Sequence, residues 1–208
     1  MLNYTRNNLI FLMIIFFIGL LPAQMKTESV SVGLGPGVVA GDCDFGMDDP
    51  KVSGNVFIRH KIGALVEGQL NASFLGKLTR DDEQAYSTDI NSIDYRLLFR
   101  LYSRSWISPY LYSGAGALWY AVKEFPPVQY RSAGADEEGW VAVIPAGGGL
   151  QLRLSERVSL EFNGGYNFVF SDELDMLEEN KNDGYFSGTA GMVFSLKAGN
   201  PDPDMDRL

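Results

Sequence analysis

The stretch Val158–Phe170 reads VSLEFNGGYNFVF. On an extended chain Val158, Leu160, Phe162, Gly164, Tyr166, Phe168 and Phe170 fall on one side, and Ser159, Glu161, Asn163, Gly165, Asn167 and Val169 on the other. A period of two held this long is a β-strand with one apolar and one polar face. The fold turns on which face points inward. A soluble barrel or sandwich hides the apolar side, whereas a membrane barrel shows it to lipid.

Residues 1–24 read as a secretory signal peptide. One positive charge, Arg6, precedes the uncharged run LIFLMIIFFIGLL (Leu9–Leu21), and Pro22-Ala23-Gln24 supply a small residue for cleavage. The run is shorter than the roughly 20 apolar residues of a transmembrane helix, and no later segment is long enough to cross a bilayer as a helix. The mature chain is therefore either soluble and exported or a membrane β-barrel. The chain carries 17 Lys and Arg against 26 Asp and Glu, and its formal charge of −9 grows more negative once Arg6 is removed. Such acidity argues against nucleic acid as a partner. The single cysteine, Cys43, rules out an intramolecular disulfide and a cysteine-cluster metal site and reads as a loop thiol; no cofactor is expected.

Eight segments alternate like the first: Val30–Ala40, Val52–His60, Ala64–Leu75, Ile93–Ser103, Ile107–Val122, Trp140–Leu154, Val158–Phe170 and Tyr185–Lys197. Three connections are short (Lys61–Gly63, Arg104–Trp106, Ser155–Arg157). Four are long and polar (Gly41–Lys51, Gly76–Asn91, Lys123–Gly139, Ser171–Gly184). Short turns at one end and long loops at the other describe an up-and-down meander. Drawn with three residues each, the short connections keep residues of like parity on one side. Pro36 and Pro145 lie inside strands without a donor and read as bulges or irregularities. Turning the apolar set inward would leave glycines and small side chains lining the other face with little shape. Turning it outward gives lipid an apolar wall, fills a narrow interior with polar groups, and satisfies every edge amide by closure. Trp106, Trp119, Trp140, Tyr166, Phe170 and Phe186, near strand ends, suit interfacial girdles. The expected fold is all-β: an eight-stranded antiparallel up-and-down transmembrane β-barrel over residues 25–198, followed by an acidic tail or truncated linker at 199–208.

The mature region resembles the N-terminal barrel of the OmpA-like outer-membrane protein superfamily. The resemblance rests on SPYLYSGAGALWY (Ser108–Tyr120), AGGGLQLRLSERVSLEFNGGYNF (Ala146–Phe168) and DGYFSGTAGMVFSL (Asp183–Leu196). In the last of these, Thr189, Gly191, Phe194 and Leu196 stand at the places of the barrel-assembly signal of such proteins. The resemblance implies export to the outer membrane of a Gram-negative-type bacterium. The implied partners are outer-membrane lipid, lipopolysaccharide and the barrel-assembly machinery. Asp202, Asp204 and Asp206 look like the start of a calcium-binding linker toward a periplasmic domain or peptidoglycan. The run is too short for the six to eight oxygens that Ca²⁺ takes, so an ordinary acidic tail is preferred and no metal site is expected, with weak divalent binding at these three residues as the alternative.

Charges on the inward face form an expected network of Arg59, Glu67, Arg96, Arg100, Arg153 and Glu161. Arg59 is expected opposite Glu67, and Arg153 opposite Glu161, across hairpins. An eight-stranded barrel is just wide enough for its own side chains, so these charges are read as mutual compensation rather than an ion path. The loops hold most of the acid, including Asp42, Asp48, Asp49, Asp81, Glu137 and Asp183, and are read as solvated. Some barrels of this size are lipid A-modifying enzymes that place a histidine with a serine or acid near the outer leaflet. Here the lone His60 sits beside a short turn without a recognisable nucleophile, so no enzymatic activity is expected. The function read from the sequence is a structural outer-membrane barrel with a polar, plugged interior and acidic extracellular loops. A small-solute channel, or an adhesin or receptor acting through the loops, is the alternative.

Overall fold

The computed structural model describes residues 30–43, 46–80, 86–101, 106–124, 137–171, 174 and 183–196. The expected signal peptide, the aspartates at 202, 204 and 206, and most of the loop acids lie outside them. Among the described residues there are nine strands: β1 (Val30–Cys43), β2 (Gly46–Met47), β3 (Lys51–Lys61), β4 (Val66–Arg80), β5 (Tyr86–Arg100), β6 (Ile107–Glu124), β7 (Glu138–Arg153), β8 (Val158–Val169) and β9 (Gly184–Ser195). The two-residue β2 only folds back on β1. The other eight pair in chain order, each antiparallel to the next, and β9 closes on β1 from Ser31↔Ser195 to Asp42↔Gly184. This is the expected eight-stranded closed barrel.

The alternation decides the faces as expected. In β3, Val52, Val56 and Ile58 are exposed on the outside, while Ser53, Asn55, Phe57 and Arg59 are buried inside. In β8, Phe162 and Phe168 are exposed whereas Glu161, Asn167 and Val169 are buried. An exposed belt of this size would be an association hazard in water and is the natural wall of a barrel in hydrocarbon. Tyr166 packs edge-on against Phe168 and Phe186, with ring centroids 4.7 and 4.9 Å away. Its hydroxyl donates to Asp42 Oδ2 at 2.9 Å, the amphipathic geometry of an interfacial tyrosine.

Several expectations about the ladder need correction. The prolines are not bulges. At Pro36 the β1–β9 ladder lapses between Leu34↔Met192 and Gly37↔Thr189, and at Pro145 the β6–β7 ladder lapses between Gly116↔Val143 and Ser113↔Ala146. The register is unchanged across both gaps, because each proline interrupts pairing on one side only. The prolines are thus strand irregularities, and the shifts of register lie elsewhere, at Ser73/Gly76 and Ser87/Thr88. In the first, Leu75 adopts a positive φ of 58° and its N–H donates to Asn91 Oδ1 at 3.3 Å. The expected loop Gly76–Asn91 is largely strand, because β4 and β5 continue past this bulge as a paired hairpin. There the pattern inverts: Leu78 and Ile90 are buried inside and Lys77 is exposed outside. Polar residues outside and apolar ones inside are what a barrel wall needs once it has left lipid for water.

Candidate functional site: the barrel interior

The interior divides into two stacked layers. Toward the short turns it is charged. Arg59 of β3 and Glu161 of β8, each 2 % exposed, come from strands that are not neighbours and meet across the lumen. Nη1 donates to Oε2 at 2.7 Å and Nη2 to Oε1 at 2.8 Å, a bidentate pair. Gln69 Oε1 accepts from Arg59 Nε at 2.9 Å, and the guanidinium lies 4.6 Å from the centroid of the Phe57 ring. Below this pair, Arg100 Nη2 donates to Glu67 Oε2 at 2.7 Å and to Gln151 Oε1 at 2.6 Å, and its Nη1 donates to Ser108 Oγ at 2.9 Å. Glu67 stands 3.9 Å from Arg59 Nε, close enough to join the two pairs electrostatically. Above it, Arg96 binds Asp94 two residues away on the same face of β5, with Nη2 to Oδ2 at 3.1 Å. An amide chain continues this group: Asn71 donates to Asp94 at 3.0 Å and Asn55 to Asn71 at 2.8 Å.

Five of the six expected network residues are thus brought together, and Arg153 is not. It is exposed at the end of β7, opposite Ser159, while Glu161 faces Gln151. The expected hairpin partners are displaced because the two turns centre on Ala64 and Glu156, each one residue away from the centre that would pair Arg59 with Glu67 or Arg153 with Glu161. Arg59 accordingly faces Gln69, and Lys61 faces Glu67. A shift of two residues keeps every side chain on its expected face and changes its partner, which is why parity survives the error. Asp94, Gln69, Asn71 and Asn55 are absent from the expected set. The spacing Asp94-x-Arg96 was the available signal, since i and i+2 share a strand face.

Toward the long loops the interior is apolar, contrary to the uniformly polar filling expected. Val39, Leu78, Leu118, Val143, Val169 and Leu174 are all at most 4 % exposed and form one cluster. Leu174, within the expected acidic loop, is held on both sides: Thr88 Oγ1 donates to its carbonyl at 2.7 Å, and its N–H donates to Asp183 Oδ2 at 3.0 Å. Asp48 and Asp183, expected to be solvated, are 4 % and 3 % exposed, and Tyr86 donates its hydroxyl to Asp48. Between the layers lies a cavity of about 20 Å³ bordered by Ser53, Asn55, Ser92, Arg96, Asn163 and Thr189, room for about one water molecule. Glycines admit the large interior rings: a Cβ at Gly165 or Gly147 would overlap the Tyr112 hydroxyl.

The remaining sequence-derived positions are distributed over the wall. Thr189 and Gly191 of β9 face inward, and Phe194 and Leu196 are exposed outside, 38 % and 68 %. His60 lies on the outer face, its Nε2 3.3 Å from the Tyr95 hydroxyl.

No family model matches the chain, and no curated protein matches it by sequence. Solved structures do match. Neisserial surface protein A is similar with a TM-score of 0.61 and 13 % identity, over 80 % of this chain and 97 % of that one. Ail, the attachment invasion locus protein of Yersinia pestis, gives 0.52 and 14 %, over 81 % and 99 %. A major outer membrane protein from Thermus thermophilus gives 0.54 and 8 %, over 80 % and 99 %. At these identities the likeness shows the fold, that of eight-stranded outer-membrane barrels, which is also the fold implied by the OmpA-like resemblance.

Proposed function

We propose that this chain is a structural barrel of the bacterial outer membrane that supports the envelope and does not conduct. One observation carries the reading: behind an apolar outer belt, the described part of the lumen is filled by a charged layer and an apolar layer, with a cavity of about 20 Å³ between them. A solute channel needs a connected aqueous path, and a lumen crossed by the Arg59–Glu161 pair and capped by Leu174 lacks the room for one. In this reading the short turns face the periplasm and the acidic long loops face outward, beside lipopolysaccharide. Thr189, Gly191, Phe194 and Leu196 present the last strand to the assembly machinery, so Phe194→Asp lowers the yield of membrane-inserted protein. Planar-bilayer recording of the refolded, heat-modifiable protein tests the function. The expected trace is flat apart from brief events, and a steady large conductance would replace the structural reading with a channel.

A further inference from the structure

Charge is polarised along the barrel axis. At the long-loop end Asp49, Glu124, Glu137 and Glu138 are exposed, against Lys77 and Lys123. At the short-turn end the exposed charges among the described residues are Lys61, Arg153 and Arg157, against Glu156. Lys61 faces Glu67 in the ladder, but that carboxylate is turned inward onto Arg100 at 2.7 Å and does not neutralise it. The basic end also carries an apolar collar: Trp106, Leu154 and Leu196 are 68, 60 and 68 % exposed.

The two arginines are presented on a fixed support. Arg153 N–H donates to the Trp106 carbonyl at 2.8 Å, which ties the turn to the start of β6. Ser195 N–H donates to the Arg157 carbonyl at 2.9 Å, which ties it to the end of β9. Within the turn, Leu154 and Ser155 N–H both donate to the Val158 carbonyl at 3.0 Å, and Ser155 Oγ accepts from Val158 N–H at 3.1 Å. Arg153 and Arg157, both exposed, therefore bracket a turn that carries the exposed Leu154 and is tied to the exposed Trp106, at the level where a bilayer changes from acyl chain to headgroup. Guanidinium forks match phosphate oxygens, and basic residues beside a membrane gain from anionic lipid.

We propose that this rim binds the headgroup phosphates of anionic phospholipid in the leaflet at the short-turn end, with Arg153 and Arg157 as the main clamp and Lys61 as a second station. The proposal rests on the membrane-barrel reading above. It gives the rim a lipid specificity that the acidic end lacks, and it explains why Arg153 stands outside the interior network.

The test uses the full chain refolded into vesicles of phosphatidylcholine alone or mixed with phosphatidylglycerol, with the lipids retained on the extracted barrel counted by native mass spectrometry. The unaltered protein should retain phosphatidylglycerol above its share of the mixture, and added salt should reduce the excess. Each basic side chain at an anionic surface is worth roughly five-fold in affinity. Replacing all three (K61Q, R153Q, R157Q) should therefore lower the enrichment by at least about ten-fold, and Glu156→Gln should raise it. Heat-modifiable mobility, checked for every variant, reports the barrel separately. A heat-modifiable protein with no phosphatidylglycerol excess, or a triple variant that keeps it, would overturn the proposal. So would arginine-dependent sedimentation with peptidoglycan in the absence of a lipid preference, which would make the cell wall the partner.

Discussion

The two halves of the interior solve one problem, filling a closed sheet, with opposite chemistry. In the half nearer the short turns the wall faces lipid, so its outer residues are apolar and the inward places carry Arg59, Glu67, Arg96, Arg100 and Glu161. In the half nearer the long loops the outer face passes from apolar residues such as Ile144 and Phe168 to the exposed Lys77 and Lys123, and Leu78, Leu118, Val143 and Val169 fill the inside. The first half is held by directed contacts that fail together when one partner is lost. The second is held by packing, whose losses scale with the volume removed.

This contrast sets the expected order of mutational effects. Glu161→Gln leaves the Arg59 guanidinium buried without its counter-charge and should destabilise the barrel most, by about 3–5 kcal/mol in urea unfolding from lipid vesicles. Leu118→Ala, in the apolar layer, should cost about 3 kcal/mol, with pairing in the charged layer unchanged. If Leu118→Ala proved harmless, the upper half would be loosely filled and the two-layer description wrong. Arg153→Gln should change stability by less than about 0.5 kcal/mol, because the residue is exposed. A large loss there would return Arg153 to the interior network.

The sequence made the wall legible and the contents only partly so. Alternation assigns a face to each residue of β3 or β8 without knowledge of its partners, and errors of two residues in the turns at 62–65 and 154–157 leave those faces untouched. Partners across the lumen are a different matter. Arg59 and Glu161 are 102 residues apart on non-adjacent strands, and their meeting depends on tilt and stagger, which no local pattern encodes. The stretch 76–91 reads as loop for another reason. Above the Phe74–Leu75 bulge the barrel is in water, so the apolar-out rule that identifies membrane strands inverts. A change of sign in the alternation is thus itself a signal of where the wall leaves the bilayer. Leu174 carries no such signal, since Leu174, Met176 and Leu177 among the acids of this stretch keep no sustained period of two.

The central claim is that the lumen is closed by contacts made across it, and the pair Arg59–Glu161 tests it most directly. A double-mutant cycle with Arg59→Met, Glu161→Gln and both changes together, read by urea unfolding in vesicles, isolates their coupling. The structure predicts a coupling of about 1–3 kcal/mol, with the double variant more stable than the two single losses sum to. Losses that add to within about 0.5 kcal/mol would mean that the two residues do not meet, and would contradict a lumen closed by this pair.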